Sequence, residues 1–583
     1  MDLDKAKFLL ENLIGRMEQE DDARRWKLEG SISAFEMDAL QTILAELSAE
    51  HVEVPSPAPT EATPKIIPEQ VKAEAPKQAP NQTKEKIQAE EIVDEPAKQT
   101  NSLNTTSLKF NNPQNPDITL CLDFGTAMSK AAASRGYYED EFLELKLGEQ
   151  AQQDGIAYPV VSSVFISDKG TVHFGQDSIK QSMIANIAET LRFDSLKQEI
   201  TMGSTDSSLD NQLVEDKFNP TELKITKGCL ITIYLAYLTD LACSALQDQY
   251  NVSRYVKRRY ALPVFEESHS RWVKKQLQLL LSRAQILADT FHGQWYEGIE
   301  LSKVNDAYQQ LLKLDKLPDY LIDESVLEPI AAASSRIQRD EGAARELVMI
   351  VDVGAGTTDF ALFLVNQDAD KEVFKAFLIP DTVKGVRQAG DAIDNALRMA
   401  ILENSHIDNK SSHYDLINSN LQRYIRGYKE TLFKTGILHY TLADDSEGTI
   451  NLDEFLNRAQ VKKFESLLEA TFLKIIQSVD SSYLDFFQNH PVKVVLTGGG
   501  ATLPMIQGLG KGQVEFDNYS FNRQMATLVP DWVIDNYDYF ENEYPQLAVA
   551  LGGACSELPE QGPSYAKFHG VAGKTDQWKV DRF

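Results

Sequence analysis

Beyond residue 117 the hydrophobic positions fall into two patterns that take turns along the chain. Short, nearly continuous apolar runs, "ITLCLDF", "AYPVVSSVFIS", "RRYALPVF", "LVMIVDVG", "ALFLV" and "VKVVLTGG", predict strands. Longer stretches with apolar residues three and four apart, "HSRWVKKQLQLLLSRAQILADTF" and "AGDAIDNALRMAILEN", predict helices. Strands alternating with helices place this part of the chain in the α/β class.

The first 50 residues carry a different pattern. Phe8, Leu9, Leu10, Leu13, Ile14 and Met17 recur at helical spacing, and so do Phe35, Met37, Leu40, Ile43, Leu44 and Leu47. Ser33 and Glu36 form a capping box, with Ile32 and Met37 placed as its hydrophobic staple. A helical hairpin over 1–50 is therefore expected. A unit this small buries little apolar area alone, so its stripe is expected to meet a partner protein, another copy or the body of its own chain. Residues 51–116 turn to Pro, Ala, Glu, Lys, Gln and Asn, a composition that cannot offset its ordering entropy by burial. They predict a disordered, Pro-rich linker. The stretch 557–583 is expected to be only a short C-terminal tail.

Composition narrows the partners. A chain of 583 residues with 42% hydrophobic and 25% charged residues is globular and long enough for more than one core. Its formal net charge of −29 repels nucleic acid and anionic lipid, so neither is expected as a partner. Cys121, Cys229, Cys243 and Cys555 are scattered without a C-x-x-C pair, which argues against a disulfide framework and fits a reducing, cytoplasmic setting. The opening "MDLDKAKFLLENLIGRMEQE" lacks the layout of a secretory signal, and no membrane insertion is expected.

The candidate chemistry lies where strands end. "VDVGAGTTDF" brackets Gly354, Ala355, Gly356 and Thr357 with Asp352 and Asp359. "ITLCLDFGTAMSK" repeats the arrangement with Asp123, Gly125, Thr126 and Ala127. Glycine lets backbone N–H groups approach phosphate oxygens, threonine hydroxyls add donors, and the aspartates can hold Mg²⁺ through its water shell. A third strand, "VKVVLTGGGATLP", runs into Gly498, Gly499 and Gly500, where the backbone could lie against a nucleoside. No G-K-[ST] follows any of these glycines, so none is a P-loop.

Two phosphate hairpins followed by a glycine turn, in this order, resemble the actin-like ATPase superfamily, and specifically the nucleotide-binding domain of the seventy-kilodalton heat-shock chaperones. The resemblance spans roughly 117–556. "RRYALPVFEESHSR" is similar to that family's "V-P-A-Y-F" segment and places its proline at Pro263 and its coupling arginine at Arg271. "LEPIAAASS" is similar to "N-E-P-T-A-A-A", giving Glu328 and Pro329. "QAGDAIDNAL" is similar to "L-G-G-E-D-F-D-N", giving Gly390, Asp391 and Asp394, and "LAVALGGA" to the closing "E-A-V-A-Y-G-A-A".

The resemblance implies a two-lobed fold of duplicated ribonuclease-H-like lobes, 117–344 and 345–556, binding ATP or ADP with Mg²⁺. Asp123 and Asp359 would hold the hydrated metal, Thr126 and Thr357 would bond the γ-phosphate region, and Glu328 with Asp352 would orient the attacking water. Gly390 and the turn at Gly498–Gly500 would lie along the nucleotide. Two residues depart from the family pattern: Ala127 replaces a threonine and Ala355 a glycine. The family's lysine after "V-G-D-A-A-K" is met one residue late by Lys180, while similarity to actin's "D-N-G-S-G-M-C-K-A-G" points to Lys130. Glu430 and Lys434 in "YKETLFKTG" would contact adenine, although a Glu and Lys four apart also form an ordinary helix-face ion pair.

The chaperones carry a β-sandwich after this domain, and the expected tail leaves no room for one. The expected function is an ATP-binding, slowly hydrolysing conformational switch read out by partner proteins through the N-terminal hairpin, chaperone-like or adaptor. The alternatives are a filament-forming actin-like ATPase, a small-molecule kinase of the same superfamily, and a nucleotide-binding scaffold without hydrolysis.

Overall fold

The computed structural model describes residues 102–561 apart from 137–139, 149–157, 186–189, 202–206, 266, 338–343, 369–372, 412 and 488–489; before them it describes 17–19 and 26–28. The chain divides into two units, Met1–Asp94 and Glu95–Phe583. In the first, strand Met17–Gln19 pairs antiparallel with Trp26–Leu28, Glu18 opposite Lys27. Met17, expected to close the first helical stripe, is thus a strand residue. The rest of the expected hairpin, most of the linker and the end of the tail lie outside the described residues.

The second unit is mixed α/β and contains two large sheets. The first is built from β1 (Ile118–Asp123), β2 (Met128–Gly136) and β3 (Asp140–Leu143), then, after helices α1 (Leu196–Thr201) and α2 (Lys227–Tyr250), from β4 (Lys257–Leu262). Helix α3 (Glu267–Thr290) leads to β5 (Ile322–Leu327), and α4 (Glu328–Ile337) follows without a loop. The spatial order is β5-β4-β1-β2-β3. β1, β2 and β3 form an antiparallel meander, and β4 and β5 run parallel to β1.

The second sheet repeats this plan with β6 (Ala344–Val353), β7 (Thr358–Asp368) and β8 (Val373–Leu378) as the meander. After α5 (Gly390–Asn404), α6 (Tyr414–Thr435) and α7 (Ala459–Gln477) come β9 (Val492–Thr497), β10 (Gln513–Phe516) and β11 (Tyr519–Met525). β9 lies parallel to β6, and β11 parallel to β9. The order β11-β9-β6-β7-β8 therefore matches the first sheet strand for strand, with β10 added at one edge and Glu560–Gln561 at the other. That last pairing carries the sheet past residue 556, into the stretch expected to be a tail.

Both sheets are covered on both faces, which is why their central strands read as unbroken apolar runs. In β6, Leu347, Met349, Val351 and Val353 enter one core while Val348 and Ile350 enter another. In β1, Leu120 and Leu122 point one way and Cys121 the other. The outer face of the first sheet packs on α2 and α3. Helix α2 is long and apolar enough to cross a membrane by length and composition, with a mean hydropathy of 1.7 over its most apolar window, but 89% of that window is buried inside the protein. It serves as a core helix.

The inner faces are covered by α4 and α8 (Tyr544–Ala554). α4 follows the first sheet yet packs on β6 and β7 of the second; α8 follows the second sheet and packs on β1 and β2 of the first. The two helices also pack closely on each other: a Cβ at Gly552 of α8 would stand 1.6 Å from the Ala331 carbonyl oxygen of α4. Only a residue without a side chain permits that approach, because the obstacle is backbone. Gly552→Val is accordingly expected to destabilise the fold by about 2–3 kcal/mol or more through overpacking, read as a lowered urea midpoint in near-ultraviolet circular dichroism. An unchanged midpoint would contradict the close packing.

Candidate functional site

The ends of β1 and β6 occupy equivalent places in the two sheets, and each is an aspartate followed by a glycine-bearing turn. Asp123 closes β1; Asp352 is the penultimate residue of β6, opposite Asp359 of β7. The two turns face each other. A Cβ on Gly356 would lie 3.0 Å from Thr126 Oγ1 and 3.4 Å from Gln198 Nε2. Glu328 stands at the junction of β5 and α4.

Four carboxylates are thereby buried together: Asp123, Glu328, Asp352 and Asp359 are each at most 6% exposed. Two ammonium groups accompany them. Lys130, opposite Asp123 in the β1/β2 register, lies 3.1 Å from its Oδ2. Lys197 of α1 donates to Glu328 Oε1 at 2.5 Å. Asp359 accepts from the Val264 backbone N–H at 3.0 Å and from Thr357 Oγ1 at 2.8 Å.

Acids outnumber cations, and burial in low dielectric makes the surplus costly. Burial, then Glu328, Asp359 and Asp123, hold the Asp352 carboxyl well above the ordinary carboxylate range. Burial and the Glu328 charge push Asp359 up to about 7 against the bonds from Val264 and Thr357. Burial raises Glu328 as well, although Lys197 opposes it. Lys197 itself is held above the lysine range: burial would lower it, and Glu328 and Asp123 outweigh that. Such a cluster can take up a cation or hold protons near neutrality. Among the described residues, no three His, Cys, Asp or Glu side chains converge as a direct ligand set. A cation retained through its own water shell suits this geometry, as Mg²⁺ prefers.

Around the acids the turns are tied to one another. Gly390 N–H donates to the Gly354 carbonyl at 3.2 Å and Asp391 N–H to that of Ala355 at 2.7 Å, seating the start of α5 on the second turn. Gly498, with φ +83°, stands so near that a Cβ would meet Asp352 Oδ1 at 2.6 Å. Gly500 N–H bonds the Val353 carbonyl at 3.0 Å, and Gly499 is exposed, with nothing within 4 Å of where its Cβ would be. In the first turn, a Cβ on Gly125 would fall 2.0 Å from the Met128 carbonyl oxygen, and the Ala127 carbonyl accepts from Ser162 N–H at 2.9 Å. A cavity of about 460 Å³ adjoins the second turn, walled in part by Gln198, Gly356 and Asp391.

Asp123, Glu328, Asp352, Asp359, Lys130 and the turn residues are thus grouped in space. Three others are not. Lys180 is exposed on the helix Gly175–Ile184, whose Ser178 and Ser182 take the buried face, and the second lysine of the cluster is Lys197. Glu430 and Lys434 are exposed on α6. The face of α6 turned to α5 carries Arg426, 3.9 Å from Asp391 Oδ1, and Lys429, 2.8 Å from Asp394 Oδ1. Lys197 was missed because "SLKQEI" has no motif; the nearest signal is a lysine between Leu196 and Ile200, both of which prove buried. No protein-family model matches the chain.

The raised carboxyls fix the sign of a pH dependence. Asp359 is pushed above its unfolded value, so the stability it contributes is full below the ordinary aspartate range and is lost as pH rises through about 7. Without added nucleotide or divalent cation, the melting temperature is expected to fall as pH rises from ~4 to ~7 and to level off above that, and to fall less in Asp359→Asn. Equal slopes in differential scanning calorimetry would count against the shift.

Proposed function

We propose that the chain binds ATP with Mg²⁺ between its two sheets and hydrolyses it slowly, acting as a conformational switch that partner proteins read. The observation that carries this is the repeated corner: Asp123 and Asp352 stand at the ends of equivalent strands, last and last but one, and the turns that follow approach each other at Thr126 and Gly356. In this reading 117–344 and 345–556 are the lobes of an actin-like ATPase similar to the nucleotide-binding domain of the seventy-kilodalton heat-shock chaperones. The free, buried cysteines fit a cytoplasmic setting.

The residues fit a triphosphate with its metal. N–H groups and hydroxyls of the turns Gly125–Ala127 and Gly354–Thr357 are the phosphate donors, Asp123 and Asp359 retain the hydrated cation, and Gly498–Gly500 and Gly390 border the nucleoside. Magnesium, when bound there, would supply positive charge against the phosphates. Glu328 and Asp352 orient a water, and burial, which raises both carboxyls, makes their carboxylates stronger bases than exposed ones. Lys130 and Lys197 place positive charge where negative charge develops in phosphoryl transfer.

Isothermal titration calorimetry with ATP and magnesium tests this. Wild type is expected to give a heat of association, Asp359→Asn to bind at least ~10-fold more weakly, as loss of a group holding a metal's water shell does, and hydrolysis to be slow in wild type and lost in the variant. No heat with any adenine nucleotide in wild type would sink the proposal.

A further inference from the structure

Helix α1 has six residues, too few to hold its own shape, so its position depends on what grips it. The grips come from both sheets. Lys197 donates to Glu328, Glu199 accepts from Lys227 at 2.5 Å, and the Thr201 carbonyl lies 2.7 Å from His269 Nε2, all three partners following strands of the first sheet or belonging to its helices. Gln198 reaches the other way, its Nε2 donating to Asp391 Oδ2 at 2.8 Å. Asp391 in turn donates its N–H to the Ala355 carbonyl of the second turn at 2.7 Å. Upstream, Arg423 of α6 donates to the Thr190 carbonyl at 2.9 Å.

We propose that Gln198 is a positioning residue: through Asp391 it ties the second glycine turn to α1, and so sets where the neighbouring Lys197 ammonium stands. The chain Ala355–Asp391–Gln198–Lys197–Glu328 runs from one sheet's turn to the other sheet's carboxylate by four links, three of them hydrogen bonds and one the peptide between Gln198 and Lys197. Lys197 is then in register only when the two sheets stand as close as they do here, which makes its contribution conditional on closure. The inference rests on the reading of the cluster as a phosphoryl-transfer site.

The full-length chain tests it with Gln198→Glu, which sets a carboxylate against Asp391, and with Gln198→Glu combined with Asp391→Asn, which restores a hydrogen bond with donor and acceptor exchanged. Single-turnover ATP hydrolysis is expected to slow about 10- to 100-fold in the single variant, with nucleotide affinity held within about 3-fold, and to recover most of the loss in the double variant. A general loss of structure would instead weaken affinity along with rate and would not be rescued. Amide hydrogen exchange across 190–201, measured without nucleotide, is expected to speed up in Gln198→Glu and return in the double variant. Unchanged exchange overturns the tether whether or not the protein binds ATP. Faster exchange with rescue in a protein that binds no nucleotide supports the tether while the phosphoryl-transfer reading fails. An unaltered hydrolysis rate in Gln198→Glu, in a protein that does hydrolyse, overturns the positioning role.

Discussion

The approach of α8 to α4 at Gly552 and Ala331 is the constraint from which the site follows. Each helix belongs by sequence to one sheet and by packing to the other, so the pair joins the two inner faces into one core. The same pair delivers groups to the cluster. Glu328 is the first residue of α4, one turn from Ala331, and its place is set by how deeply α4 seats. At the start of α8, the Pro545 carbonyl accepts from Gly498 N–H at 2.6 Å and from Thr497 Oγ1 at 2.9 Å, fixing the turn that stands against Asp352. A change of distance between the helices would move both.

What the packing assembles is electrostatically expensive. Buried carboxylates without matching cations destabilise a fold, and the Lys197–Glu328 pair offsets this only in part, since desolvating both ions opposes their attraction. Elsewhere the same protein buries acids with more complete pairing. Asp240, for instance, accepts from Trp295 Nε1 at 2.7 Å and also faces Arg254 and His292. The contrast marks the cluster as a candidate functional site.

Strands were legible because both faces of each sheet are covered, so that Leu347 to Val351 carry no polar residue before Asp352, and Leu120 to Leu122 none before Asp123. The acids stood out for the same reason: an aspartate two residues before a glycine at the end of a buried run has few structural uses. The lysines were not. Lys180 sat at a motif-like spacing, but helix phase turns it outward, whereas Lys197 reaches Glu328 across 131 positions by an encounter that no local pattern encodes. On α6 the Glu430 and Lys434 pair is exposed, while Arg426 and Lys429, three apart, line the face turned to α5. Met17 was lost to a strand because three residues cannot distinguish the two periods.

The two sheets share a plan, but the register shows where they part. Opposite Asp123 in the first hairpin stands Lys130, while opposite Asp352 in the second stands another acid, Asp359. The first corner is nearly neutral by itself and the second carries the surplus. Lys197, reaching in from α1, meets Glu328 and leaves Asp352 and Asp359 facing each other. The surplus of buried acid therefore lies on the side of the second hairpin, where burial and neighbouring acids raise Asp352 and Asp359. Symmetry of the backbone supplies two like corners; the exchange of one cross-strand partner, lysine for aspartate, makes them complementary.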